Sequence, residues 1–192
     1  MCVGIPDEKR PIYWRILLGY LPKQTDRWES YLSKQRQLYH EISANLRIDS
    51  LLSTPRTADN NVANDDISVL HSIQVDVART HPSLQFFIRD EQGAVGMLAN
   101  PTLCLTRILF VYAKYNFGVR YTQGMNEICA ALFYVFATDK DDCWREHAEA
   151  DTYFCFMALM SELRDLFLVL LIALHFPTKQ KCLIFPSLGE HG

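Results

Sequence analysis

Between Glu29 and Leu46 the apolar residues Tyr31, Leu32, Leu38, Tyr39, Ile42 and Leu46 return at three- and four-residue steps, the period that lays one buried stripe along a helix. Residues Asp49 to Asn64 then collect Ser, Thr, Pro, Asp and Asn and lose that period, which predicts an exposed connection. A second helix is expected to start near Asp65 or Asp66, where carboxylates suit a helix start, and to run through Ile67, Leu70, Ile73 and Val77 until Pro82 stops it. Arg89 to Pro101, with two glycines and a proline, predicts another loop. Leu105, Ile108, Leu109, Tyr112 and Ala113 next share one helical face, with a stop at Asn116 to Gly118. Tyr121 to Asn126 is a short loop before Ile128, Leu132, Val135 and Phe136 at helical spacing, and an acidic stretch at Asp139 to Asp142 precedes a last helix from about Glu149. Strand-like alternation is nowhere sustained, so the chain is expected to be an all-α domain of antiparallel or obliquely packed helices.

Composition narrows the function classes. Of 192 residues, 49% are hydrophobic and the formal charge is −3, which excludes a disordered tail and a nucleic-acid binder that works by bulk positive charge. Cys2, Cys104, Cys129, Cys143, Cys155 and Cys182 form no C-x-x-C pair and read as reduced thiols, with no metal site expected. Residues 1–10 lack an apolar signal segment, and Cys2 stands where myristoylation requires a glycine, so an intracellular chain is expected. The apolar run Leu166 to Leu174 makes a helix of about 14 Å against a hydrocarbon core of about 30 Å, which is a core helix or a sticky tail rather than a membrane span. His40, His71 and His81 are widely separated and read as structural or solvated.

No phosphate loop, H-E-x-x-H pair or G-x-S-x-G elbow is present. Two polar islands remain, Ile73 to Thr80 and Tyr121 to Asn126. In the first, Asp76 and Arg79 stand three apart at a helix end, either as an ordinary surface ion pair or as a carboxylate presenting an oriented guanidinium. In the second, Gln123 sits beside Gly124 at a loop-to-helix junction, where it either ties down the loop or orients a water.

Together the islands resemble the signature motifs of the TBC domain, the catalytic module of Rab GTPase-activating proteins, written I-x-x-D-x-x-R and Y-x-Q-G-M. Ile73, Asp76 and Arg79 match the first; Tyr121, Gln123, Gly124 and Met125 match the second. Arg10 and Trp14, after Gly4-Ile5-Pro6, match a third feature, R-x-x-x-W. The resemblance runs from about Gly4 to Phe167, so residues 1–167 are expected to form the amino-terminal portion of a TBC domain and 168–192 a divergent apolar tail. A complete domain of that family continues through further helices, so the second half of the fold is expected to be incomplete, which favours self-association or degradation.

The resemblance implies that Arg79 is an arginine finger and Gln123 a glutamine finger, supplied in trans to a GTP-bound Rab-type GTPase. It implies that Asp76 orients Arg79, that Tyr121, Gly124 and Asn126 shape the glutamine loop, and that Arg10 and Trp14 are structural, an Arg–aromatic pair pinning the first segment. Mg²⁺ and GTP would belong to the partner, leaving this chain no cofactor of its own. Residence in the cytoplasm, with membrane contact only through a lipidated Rab, follows from the same likeness. A non-catalytic Rab-binding module, or an inactive short isoform, is the alternative reading.

Overall fold

The computed structural model describes residues 4–53, 61–87, 100–116 and 120–175, apart from the side chains of residues 49, 52, 53, 61–64 and 164–175, and among these residues the secondary structure is helical, with no strand. In chain order the helices are α1 (Arg10–Leu17), α2 (Trp28–Asn45), α3 (Ile48–Ser53), α4 (Asn61–Val77), α5 (Pro101–Tyr115), α6 (Met125–Ala137), α7 (Asp142–Arg145) and α8 (Ala148–His175). The all-α expectation is met.

Helix α5 is the centre of the packing and touches α2, α4, α6 and α8. Its start is set by Asn100, whose side chain accepts a hydrogen bond from the Thr102 N–H at 3.0 Å, followed by Pro101 in the first turn. The single face expected from periodicity is too narrow a description. Every residue from Cys104 to Ala113 except Arg107 is buried, because neighbours cover the helix on all sides. Arg107 is held by a bidentate pair with Glu149 at 2.8 and 2.6 Å, and the Tyr39 hydroxyl donates to the same carboxylate at 2.7 Å.

Two expectations near the front half need correction. Ile48–Ser53 is helical rather than an exposed connection, since Ile48 is buried and Leu51 packs against the core; Arg47, at φ +46°, separates it from α2. Helix α4 begins at Asn61, and Asp65 and Asp66 lie past its first turn. Their carboxylates bind cations across the fold instead: Lys114 Nζ donates to Asp66 at 2.7 and 2.9 Å, and Arg120 Nη1 lies 3.4 Å from Asp65. The expected loop at Arg89 to Pro101 and the tail beyond His175 lie largely outside the described residues, as do Gly118, Cys2 and Cys182. Cys104, Cys129 and Cys155 are buried thiols outside any disulfide, and Cys143 is an exposed one. No helix among the described residues is long and apolar enough to cross a membrane.

A buried ionic hub joins the first two helices to α8. The Asp151 carboxylate, fully buried near the start of α8, accepts from Arg15 Nε at 2.9 Å, from Arg36 Nε and Nη2 at 3.0 Å each, and from the Tyr20 hydroxyl at 2.9 Å. Arg15 is itself fully buried, with its guanidinium carbon 4.3 Å from the Phe136 ring centre and 4.6 Å from that of Trp144. Its Nη1 faces Asp139 at 3.5 Å, an ion-pair distance without hydrogen-bond geometry. The chain reaches Tyr20 through Gly19, whose φ of +71° is a left-handed turn that glycine adopts without Cβ strain. Removing the charge with Asp151→Asn leaves two arginines facing an uncharged amide. The expected loss is about 3–5 kcal/mol of unfolding free energy, read by urea titration, and a loss under about 1 kcal/mol would show that the hub is not what joins α1, α2 and α8.

Candidate functional site

The site starts from the way α4 ends. Ile73 and Val77 are buried against the core, and Asp76, on the same side of the helix, is carried inward with them. The backbone then tightens from four-residue to three-residue hydrogen bonds: Ala78 N–H donates to Gln74, but Arg79 N–H donates to Asp76 and Thr80 N–H to Val77. The Thr80 hydroxyl turns back and donates to the Asp76 carbonyl at 3.0 Å. Arg79 is thereby thrown off the end of the helix with its side chain 64% exposed, while the Asp76 side chain is only 10% exposed.

The second island is a tight turn. Met125 N–H donates to the Thr122 carbonyl at 3.1 Å, and Gly124, at φ +98° and ψ −19°, occupies the position of a type II turn that requires a left-handed residue. A Cβ at Gly124 would meet nothing within 4 Å, so the backbone, not space, calls for glycine there. Met125 is fully buried and anchors the turn from below, with its Sδ 3.3 Å from the Thr122 backbone nitrogen. Gln123, at the apex, is exposed, and its side-chain amide has no hydrogen-bond partner among the described residues.

The two islands meet at one carboxylate. Asp76 Oδ1 accepts from Arg79 Nη2 at 2.5 Å, and Asp76 Oδ2 accepts from the Tyr121 hydroxyl at 2.7 Å. Asn126, buried at the start of α6, completes the join: its Nδ2 donates to Thr80 Oγ1 at 2.8 Å, and its Oδ1 accepts from the Gly124 N–H at 3.1 Å. The amide group of one side chain thus holds the segment after Arg79 with one atom and the turn after Gln123 with another. Asp76, Tyr121, Gly124 and Asn126 form one connected network, and Arg79 and Gln123 project from it.

Arg10 and Trp14 stand apart. Arg10 is exposed, pairs with Asp7 at 2.6 Å and donates to the Ile5 carbonyl at 3.3 Å, whereas Trp14 packs half-buried against the core. The arginine that stacks on aromatic rings to pin the first helix is Arg15, one residue past Trp14. Sequence reasoning gives Arg15 no role. An arginine inside an otherwise apolar helical stretch is the available sign, since a buried charge must find a partner. Thr80 lies inside the first island without an assigned part, and nothing in the sequence alone marks its hydroxyl as the acceptor for Asn126.

With this geometry in view, comparison with known proteins gives the family. The model of the Rab-GTPase-TBC domain matches residues 7–183. The chain belongs to the TBC domain family of Rab GTPase-activating proteins. It is 33% identical to TBC1 domain family member 13 of Homo sapiens, over 86% of this chain and 60% of that protein. It is also 29% identical to GTPase-activating protein GYP1 of Saccharomyces cerevisiae, over 84% of this chain and 25% of that one. The crystal structure of the YPT/RAB-GAP domain of GYP1P superposes with a TM-score of 0.61 at 28% identity, covering 84% of this chain and 49% of that chain. The chain therefore spans 60% or less of the length of these relatives. The family match extends past Phe167, where the motif resemblance ends.

Tyr121 makes the network measurable without a partner protein. Burial first, and then its hydrogen bond to the Asp76 carboxylate, push the Tyr121 hydroxyl well above the usual phenol range. An unfolded tyrosine ionises at about pH 10. The folded chain keeps this proton longer, so the stabilisation is intact below that pH and is lost as pH rises through the raised value. Tyr20 and Tyr39 are shifted the same way, chiefly by burial. A Tyr121→Phe chain should therefore be less stable at neutral pH, by about 1 kcal/mol for one hydrogen bond, and should lose stability less steeply than wild type in thermal melts above about pH 10. Parallel alkaline profiles for the two proteins would show that the fold does not hold the Tyr121 proton above the usual phenol range.

Proposed function

We propose that this chain accelerates GTP hydrolysis by a Rab-type small GTPase, with Arg79 and Gln123 entering the partner's nucleotide site as paired fingers. The observation that carries this reading is the shared Asp76 carboxylate, which holds the guanidinium on one oxygen and the glutamine turn, through Tyr121, on the other. Family membership supports the partner class, and the names of the yeast relative and of the matching solved domain describe GTPase activation.

The chemistry follows from what each side chain has left to offer. With one Arg79 nitrogen engaged by Asp76, the remaining N–H groups are available to the β- and γ-phosphate oxygens, where negative charge grows as the bond to the leaving phosphate breaks. Gln123 would hold the attacking water with its carbonyl and amide, a role that needs an exposed, internally unpaired carboxamide. Neither group forms a covalent bond to substrate. Magnesium and GTP would be held by the GTPase, and contact with a membrane would come through that partner.

By analogy with Ras and its activator, the arginine contribution corresponds to about 10³ to 10⁵ in rate, or roughly 4 to 7 kcal/mol of barrier. Mixing the chain with a panel of GTP-loaded Rabs and following phosphate release tests the reading. Wild type should accelerate at least one member, and Arg79→Ala and Gln123→Ala should each lose about a hundred-fold or more of that acceleration; Gln123→Ala should keep the wild-type melting temperature, since its side chain is exposed, whereas Arg79→Ala removes one partner of the Asp76 carboxylate and should lower it by about 2–4 °C. Binding of GTP-loaded Rabs with no increase in phosphate release would replace the activator by a non-catalytic binding module.

A further inference from the structure

A second connection links the two islands outside the Asp76 network. His81, two residues beyond Arg79, places its Nε2 3.2 Å from Oε2 of Glu127, four residues beyond Gln123 in the first turn of α6. The other Glu127 oxygen, Oε1, lies 3.4 Å from Asn126 Nδ2, so the same carboxylate faces both the histidine and the buried amide of the network. The His81 ring also lies near Phe87, with centroids 5.9 Å apart, and Phe87 in turn meets Phe86 edge-on at 4.8 Å. Phe86 packs on Phe133 and Tyr134 of α6. His81 thus contacts both an aromatic cluster and a carboxylate, and both contacts lead to α6.

Two features separate this contact from an ordinary surface pair. First, stability does not explain it, because the His81 and Glu127 side chains are 39% and 49% exposed and such pairs contribute little to folding. Second, His81 adopts φ +43°, a left-handed conformation that costs an L-residue free energy unless its surroundings hold it there. The strained residue directly follows the turn that presents Arg79, so the backbone conformation that aims Arg79 and the placement of the His81 ring are one geometric constraint.

We propose that His81 and Glu127 form a clasp that fixes the Arg79 segment to the Gln123 turn, and that they act as positioning residues for the two fingers. The functional consequence rests on the finger reading above, whereas mechanical coupling of the two segments stands without it. Neither residue touches the nucleotide in this scheme. Asp76 restrains the Arg79 guanidinium and Asn126 holds the Thr80 side chain; the clasp adds a hold at the next residue, where a small backbone rotation would swing the Arg79 side chain.

The test reads coupling directly, by amide hydrogen exchange on the full chain. His81→Asn suits the left-handed backbone, which asparagine tolerates, and shortens the side chain away from Glu127. Glu127→Gln keeps the shape of an exposed helical residue and removes the charge. Each substitution should raise exchange severalfold in the opposite segment: His81→Asn at Gly124 and Met125, and Glu127→Gln at Arg79 and Thr80. The double variant should go no further than the larger single effect, and melting temperatures should stay within about 2 °C of wild type. Exchange changes confined to each residue's own segment would overturn the clasp. With a responsive GTP-loaded Rab, both variants should lower kcat about tenfold, with KM within about twofold of wild type, because the variants loosen finger geometry. An unchanged kcat alongside altered exchange would overturn the positioning role. A wild-type chain inert on every Rab would remove the finger reading, and the exchange result would then decide the clasp alone.

Discussion

A single carboxylate divided between two partners is the constraint from which the site follows. Asp76 is nearly buried, and a buried carboxylate needs its oxygens satisfied. It obtains one partner from its own helix end, Arg79, and one from a residue 45 positions later, Tyr121. Because the two oxygens sit on one rigid group, satisfying both fixes the arginine segment and the glutamine turn relative to each other. An aspartate serving only Arg79 would be a local ion pair of little consequence. The second hydrogen bond turns a helix-end pair into a joint between distant parts of the chain.

That joint is useful only if the elements it links are themselves immobile, and α6 supplies the immobility. Its 13 residues span about 20 Å. At its start Asn126 reaches Thr80, and Met125 is sealed in the core; near its end Phe136 lies over the Arg15 guanidinium. The site and the Asp151 hub therefore meet the two ends of one largely apolar helix. Between them Cys129, Ala130, Leu132 and Phe133 are buried, and α6 packs along both α5 and α8. A buried ion cluster often contributes less to stability than an apolar replacement of the same volume. Here its geometry is specific: two arginines from different helices converge on one acid in α8, which is a demand on register that leucines would not make.

Much of this is legible in sequence, and the misses have a common cause. Periodicity locates α2, α5 and α6 because each keeps a long apolar face, and the two polar islands stand out because polar residues interrupt apolar runs without a loop's worth of glycine and proline. Helix α3 escapes because six residues are too few to show a period, and Ile48 and Leu51 become a face only when something lies beneath them. Asp65 and Asp66 read locally as helix-start acids, but their partners, Arg120 and Lys114, lie some fifty residues away. Arg15 is overlooked beside the more conspicuous Trp14 for the same reason. Local preference is written along the chain, whereas the partner of a charge is decided by packing, and a charge read without its partner defaults to the surface.

The division of labour within the site also explains why its most exposed members need not be its most stabilising. Asp76, Tyr121, Thr80 and Asn126 commit their hydrogen-bonding capacity inside the fold, so changes there disturb the scaffold. Gln123 contributes nothing to that network, and Arg79 contributes one guanidinium edge. A side chain ordered by a single contact, with its other donors free, is pre-organised for a partner while having little to lose when that partner is absent. The left-handed His81 fits the same logic: backbone strain is tolerated where it aims a group outward, and the Phe87 and Glu127 contacts that hold it add direction to the arginine segment rather than depth to the core.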